Sequence, residues 1–208
     1  MSTLQTDAPV APFSQSRTCR NLCSACLGEQ QARRLYLRCA RRMEEESLHV
    51  IAHAFRFTAA QEKEHADILS GLLRAHHSLP PSPQENAPLP LPREPLELLR
   101  TVVQSEHDEW DRLYPHYAAV AQEEGYPRIA GAFLRIAETE HIHARRFLQY
   151  AKALAEGSLF RETHRTTWLC LPCGQLHTGC EPPQSCSGCS SSRGHFIRSN
   201  FFPFSVEG

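Results

Sequence analysis

Glu62-Lys63-Glu64-His65 and Glu140-His141-Ile142-His143 are the two segments on which the fold turns. In a helix, positions i and i+3 share a face, so each segment presents a carboxylate and an imidazole together. Glu29 precedes Glu62 by 33 residues, and Glu106 precedes Glu140 by 34. One acid/imidazole pattern therefore occurs twice along the chain. Folded as four helices, it points four carboxylates and two imidazoles at one centre.

The residues around each acid repeat in steps of three and four, the signature of inward helix stripes. Leu22, Ala25, Tyr36, Cys39 and Met43 flank Glu29. Ile51, Phe55, Thr58, Leu69 and Leu72 flank Glu62 and His65. Leu99, Val102, Glu109 and Leu113 share the face of Glu106, and Phe133, Ala137, Phe147 and Leu154 that of Glu140 and His143. A buried carboxylate is costly unless it is paired or binds metal. Five glutamates on inward stripes (29, 62, 106, 109 and 140) with two imidazoles match the donor set of a di-iron or di-manganese bundle. Zinc would prefer fewer oxygens. A rival register, Glu138-x-x-His141, lies about 200° around the helix at two residues' offset and falls on the solvated face. Glu64 is off the stripe, and Glu46-x-x-His49 straddles a turn.

These stripes predict an all-α four-helix bundle over residues 18–156. Thr18 is the expected N-cap of the first helix. The first hairpin turns near Glu46-Ser47 and the second at Glu124-Gly125-Tyr126-Pro127. Ser47 stands where the second turn has Gly125, and a left-handed serine costs about 1 kcal/mol. Between the hairpins, residues 78–95 hold seven of the fifteen prolines. Such density excludes regular structure and makes a long crossover connection. Pro115 falls inside the third helix and predicts a kink there.

Residues 1–17 read as a disordered leader with no secretory pattern, and no apolar run is long enough to span a bilayer. The formal net charge of −1 gives no reason to expect a nucleic-acid partner. After a linker at 157–166, residues 167–208 are rich in Cys, Gly, Ser and Pro. Cys170-Leu-Pro-Cys173 and Cys186-Ser-Gly-Cys189 make two C-x-x-C knuckles, a strong signal for a four-thiolate metal site. A segment so short needs such a staple. Zinc would make it a structural ribbon and iron a one-electron carrier; beside a two-electron bundle site, iron is the better match. Cys180 lies between the pairs and is not expected to bind. Cys19, Cys23 and Cys26 recur at helical spacing, and core filling is the simpler reading than a third metal site. Tyr36, two turns after Glu29, is placed to hydrogen-bond a ligand carboxylate, with Tyr114 a second candidate; core packing with a satisfied hydroxyl is the plain alternative for both.

Over residues 18–205 the chain resembles the rubrerythrins, which join a ferritin-like di-iron bundle to a rubredoxin-like domain. The resemblance rests on Leu27-Gly28-Glu29, Thr58-Ala-Ala-Gln-Glu62-Lys-Glu-His65, Glu106-His-Asp-Glu109-Trp110 with Tyr114-Pro115, Glu140-His-Ile-His143 leading to Arg146-Phe147, and Trp168 before the knuckles. It implies that Glu29, Glu62, His65, Glu106, Glu109, Glu140 and His143 bind two irons, and that Cys170, Cys173, Cys186 and Cys189 bind a third, with zinc possible there. It further implies reduction of hydrogen peroxide to water, with electrons from an NAD(P)H-linked reductase or a rubredoxin. An exchange of Glu109 for His65 with redox state, a homodimer in which one chain's rubredoxin-like domain serves the other's bundle, and a reducing cytoplasm complete the expectation. Ser47, the proline-rich crossover and the absence of proline in Cys186-Ser-Gly-Cys189 depart from the family pattern. Two rivals are a ferritin-type iron oxidation and storage protein, and a zinc-ribbon interaction module on a degenerate bundle.

Overall fold

The computed structural model describes residues 12–82, 90–198 and 201. Four long helical rods form the bundle. They are α1 (Arg17–Glu45), α2 (His49–Ala75), a third rod built from α3 (Pro95–Asp108), a π-helical turn (Glu109–Leu113) and α4 (Tyr114–Glu123), and α5 (Pro127–Ala155). Helix α1 pairs with α2, and the third rod pairs with α5. Residues 83–89 of the predicted crossover lie outside the described residues; its flanks, 78–82 and 90–94, contain no helix or strand.

The start of α1 corrects two expectations. Residues 1–11 of the predicted leader lie outside the described residues, but Phe13–Gln15 form a 3-10 turn and Phe13 stacks on His76. The N-cap is Ser16, whose hydroxyl accepts from the Cys19 amide at 2.9 Å, not Thr18. The Thr18 amide and hydroxyl instead donate to Glu124 in the far hairpin turn, tying the two hairpins together.

Both hairpin turns close with the same Schellman-type pair of bonds. The Leu48 amide reaches the Met43 carbonyl, and that of Tyr126 reaches Ala121. The residue between must be left-handed: Ser47 has φ 57° and Gly125 φ 82°. The serine therefore does carry the strained conformation that its place in the sequence predicted.

Pro115 produces a wider turn rather than a simple kink. Proline lacks an amide donor, and its ring would collide with the carbonyl four residues back. The rod accommodates it with π-type pairing, in which the Tyr114 amide reaches back to the Glu109 carbonyl. This inserts one residue into the helical register. Leu113, expected inside, is 38 % exposed, and Tyr114 takes the inward position.

The core divides into two apolar layers. One contains Tyr36, Met43, Ile51, Phe55, Leu99 and Phe147. The other contains Leu22, Cys26, Leu69, Tyr114 and Phe133. The stripe acids lie between them. Cys19, Cys26 and Cys39 are buried as core filler, and Cys23 is half-buried.

The C-terminal segment forms a three-stranded antiparallel sheet in the order β2-β1-β3, from β1 (Thr166–Cys170), β2 (Leu176–Gly179) and β3 (Phe196–Arg198). Its own core is small, with Trp168 fully buried and its indole donating to the Gly179 carbonyl at 3.0 Å. The sheet also packs on the bundle: Ile197 and Phe201 join the first apolar layer, and Phe201 sits on Tyr150. Gly194 lies directly over the Ser47 carbonyl, where a Cβ would come within 1.9 Å of the oxygen, and His195 stacks on His49 with ring centres 3.8 Å apart. Residues 199–200 and 202–208 of the predicted C-terminal unit lie outside the described residues. Among the described residues no helix is long and apolar enough to cross a membrane.

Candidate metal centre

Helical spacing carries the acids inward, and the pairing of the hairpins brings them together. Glu29, Glu62, His65 and Glu140 have donor atoms within 4.8 Å of one another, and so do Glu62, Glu106, Glu140 and His143. All six residues are buried. His65 Nδ1 lies 2.9 Å from Glu140 Oε1, 3.1 Å from Glu62 Oε2 and 3.7 Å from Glu29 Oε2. His143 Nδ1 lies 2.6 Å from Glu140 Oε2, 3.1 Å from Glu62 Oε1 and 3.6 Å from Glu106 Oε2. Glu62 and Glu140 thus turn one oxygen to each half of the centre, while Glu29 and Glu106 each serve one half.

Two tyrosines complete this near-twofold arrangement. The Tyr36 hydroxyl, from α1, donates to Glu106 Oε1 across the bundle. The Tyr114 hydroxyl, from α4, donates to Glu29 Oε1 in the reverse direction. Each holds the oxygen that the carboxylate turns away from its imidazole. Tyr36 follows Glu29 by seven residues and Tyr114 follows Glu106 by eight; the π turn absorbs the extra residue and keeps the two halves equivalent.

Glu109 is the exception among the predicted site residues. It belongs to neither group and is half-buried on the π turn. Burial, reinforced by the charges of Glu29, Glu106, Glu140 and Glu62, pushes its carboxyl up to about 9. Burial likewise pushes Glu29 well above the usual carboxylate range and Glu106 up to about 8. Burial opposes charge on His65, but Glu140, Glu29 and Glu62 outweigh it and push the imidazole up to about 12. His143 is raised in the same way by Glu106, Glu140 and Glu62. In return Glu140, despite its burial, is held down to about 2 by the imidazoles of His143 and His65 close beside it. Protons therefore balance charge in the centre, as cations would.

The donor set fits two cations. Glu29 Oε2, Glu62 Oε1, both Glu140 oxygens and His143 Nδ1 are buried without hydrogen-bond partners. Buried polar atoms are seldom left in that state, and these converge on one interior space. Hard carboxylate oxygens with one imidazole per half suit iron. Structural zinc sites take four Cys and His ligands, with fewer oxygens than this centre offers.

Behind the centre stand Gln61 and Arg146, which the sequence places in the family motifs but to which it gives no role. Gln61 Oε1 lies 3.1 Å from His143 Nε2 and 3.2 Å from Arg146 Nη1. Arg146 also donates to Thr58 Oγ1 at 2.7 Å and lies over the Phe57 ring. The available signal was an arginine one turn after His143, on the buried side of its helix.

The four predicted thiolates also meet. Cys170 and Cys189 Sγ atoms are 3.6 Å apart, and those of Cys173 and Cys186 3.7 Å. That spacing is far beyond a disulfide bond. It matches the edge of a tetrahedron with metal–sulfur bonds of about 2.3 Å. Hydrogen bonds from Ser191 hold the Cys189 thiol down to about 6. Cys180 is exposed and stands outside the group.

The rubrerythrin family model matches residues 20–151. A rubrerythrin of Clostridium perfringens is 36% identical over 184 residues, covering 87% of this chain and 93% of its own. One from Nitratidesulfovibrio vulgaris is 34% identical over 181 residues, with coverage of 87% and 93%. Among solved structures, nigerythrin in its fully reduced, all-ferrous state aligns with a TM-score of 0.61 at 25% identity, over 95% of this chain and 96% of its own.

Proposed function

Because the chain belongs to the rubrerythrin family, with its di-iron carboxylate centre and its four-cysteine iron site, we propose that it is a peroxidase reducing hydrogen peroxide to water. The reaction consumes two electrons and two protons per peroxide and yields two waters. One observation carries the reading: a single chain unites an acid/imidazole centre for two irons with a thiolate site for one. When bound, the two irons supply the electron pair and polarise the O–O bond.

The chain's own residues do the rest. We assign Glu62 and Glu140 as the carboxylates shared by both ions, Glu29 with His65 to one, and Glu106 with His143 to the other. Tyr36 keeps Glu106, and Tyr114 keeps Glu29, from swinging. Glu109, close to the acids of both halves, would be the carboxylate that replaces His65 as a ligand on oxidation. Its carboxyl, pushed up by burial, would also be available as a proton source.

We assign residues 18–156 to the peroxide chemistry and 167–208 to electron relay. Cys170, Cys173, Cys186 and Cys189 would hold the relay iron, fed by an NAD(P)H-linked reductase or a rubredoxin. The C-terminal sheet packs beside Ser47, fifteen residues or about 22 Å of helix from Glu62. That separation favours a homodimer in which the relay iron of one chain serves its partner's bundle. Nine free cysteines fit a reducing cytoplasm.

The test is a race. Iron-loaded, reduced protein should be reoxidised by peroxide far faster than by air, and comparable rates would make it an oxidase. Cage assembly with many irons per chain would instead mark a storage protein.

A further inference from the structure

His143 has two ring nitrogens, and the groups that face them differ. Nδ1 points at Glu62, Glu106 and Glu140. Nε2 points away from the centre, to Gln61 Oε1 at 3.1 Å. A glutamine amide can present either oxygen or nitrogen, and its orientation is set by its neighbours. Here the neighbour is Arg146, whose Nη1 lies 3.2 Å from the same Gln61 atom. Arginine only donates hydrogen bonds, so the atom facing it must be the amide oxygen. An oxygen there can only accept from His143, so Nε2 carries a hydrogen and Nδ1 faces the acids.

Arg146 is itself fixed. It is buried, bonded to Thr58 Oγ1 at 2.7 Å and placed over Phe57. The chain of restraint runs from the packed core through a guanidinium and an amide to one imidazole. His143 has no side-chain exposure, whereas His65 retains 8 %.

We propose that Gln61, oriented by Arg146, is a positioning residue for the di-iron centre: it fixes the tautomer and ring plane of His143 and makes that half of the centre the more rigid and tighter-binding one. The inference rests on the ligand roles assigned above but not on the identity of the substrate. Partners of this kind change metal affinity by roughly 10- to 100-fold when removed.

The experiment uses the full chain with cobalt(II) as the probe for the bundle site. Exchangeable, hyperfine-shifted imidazole N–H resonances report the outer nitrogen of each ligand histidine, and chelator competition reports the two affinities. One N–H, that of His143, should persist in D2O in the natural protein. In Gln61→Leu it should exchange rapidly, with one of the two cobalt ions bound roughly 10- to 100-fold more weakly. Gln61→Glu keeps an acceptor between the same two donors and should restore both readouts. Unchanged N–H exchange and affinity in Gln61→Leu would overturn the proposal, as would a Gln61→Glu protein as impaired as Gln61→Leu. Should Gln61→Leu fail to fold, Arg146→Met provides the decision. It frees the amide to turn over, and must speed exchange of the same N–H; an unchanged rate refutes the assignment. None of these readouts involves peroxide, so the fate of the peroxidase reading is separable from theirs.

Discussion

Loading the bundle with ferrous iron should expel protons, and the site geometry sets their number. Among the residues assigned as ferrous ligands, four groups are shifted toward the protonated form by where they sit. His65 is pushed up to about 12 and His143 is raised well above its ordinary value. Glu29 is raised strongly by burial, and Glu106 to about 8. A nitrogen or oxygen that binds metal cannot keep its proton, so about four should leave as two ions enter. The combined affinity for the pair should then climb by roughly four decades per pH unit near neutrality. Anaerobic titration in weakly buffered solution, or calorimetry in two buffers of different ionisation enthalpy, measures the count. Glu62→Ala, which removes a carboxylate shared by both halves but leaves the thiolates intact, supplies the correction for protons released at the cysteine site. Fewer than about one proton per ion would refute the reasoning, because the acids would then already be ionised and could not be as buried and crowded as described.

Three further outcomes follow from the same residues. Metal-free protein should lose thermal stability between pH 5 and 9: Glu106 and Glu109, at about 8 and about 9, and His65, at about 12, all bind protons in the folded state that the unfolded chain has released. Calorimetric scans across that range should show a falling midpoint, and iron-loaded protein a nearly flat one; a rising midpoint in the metal-free protein would contradict the direction of these shifts. Tyr114→Phe removes the donor to Glu29 and should cost roughly 1.5–3 kcal/mol in chemical unfolding of the loaded protein; a change within error would mean that the bond is dispensable. Gly194→Ala drives a methyl group against the Ser47 backbone and should cost roughly 1–3 kcal/mol. Hydrogen exchange would then rise in Phe196–Arg198 while the amides around Glu62 keep their protection, and uniform exchange throughout would count against a local junction.

Much of the bundle was legible because a buried glutamate in an apolar stripe is conspicuous. Glu29, Glu62, Glu106 and Glu140 could be picked out by spacing alone, and the C-x-x-C knuckles by their regularity. Periodicity failed where the helix changed its own period. Leu113 and Tyr114 exchanged places because the rod answers Pro115 with a π turn, a choice of hydrogen bonding that a 3.6-residue pattern cannot express. The same turn carries Glu109, which lies close to the centre without joining either half. The roles of Gln61 and Arg146 were hidden for another reason: they sit on the flanks of their stripes, and their partners come from a different helix. The packing of Ile197 and Phe201 on the bundle was equally hidden, since two apolar residues in a short irregular segment do not reveal what they cover.

Iron analysis with Mössbauer spectroscopy of the as-isolated protein addresses the central claim most directly. Three irons per chain are expected, two in an oxygen- and nitrogen-ligated coupled pair and one in a tetrahedral sulfur environment. A single thiolate-bound iron, with the six buried acid and imidazole groups still folded inward and metal-free after anaerobic reconstitution, would contradict it.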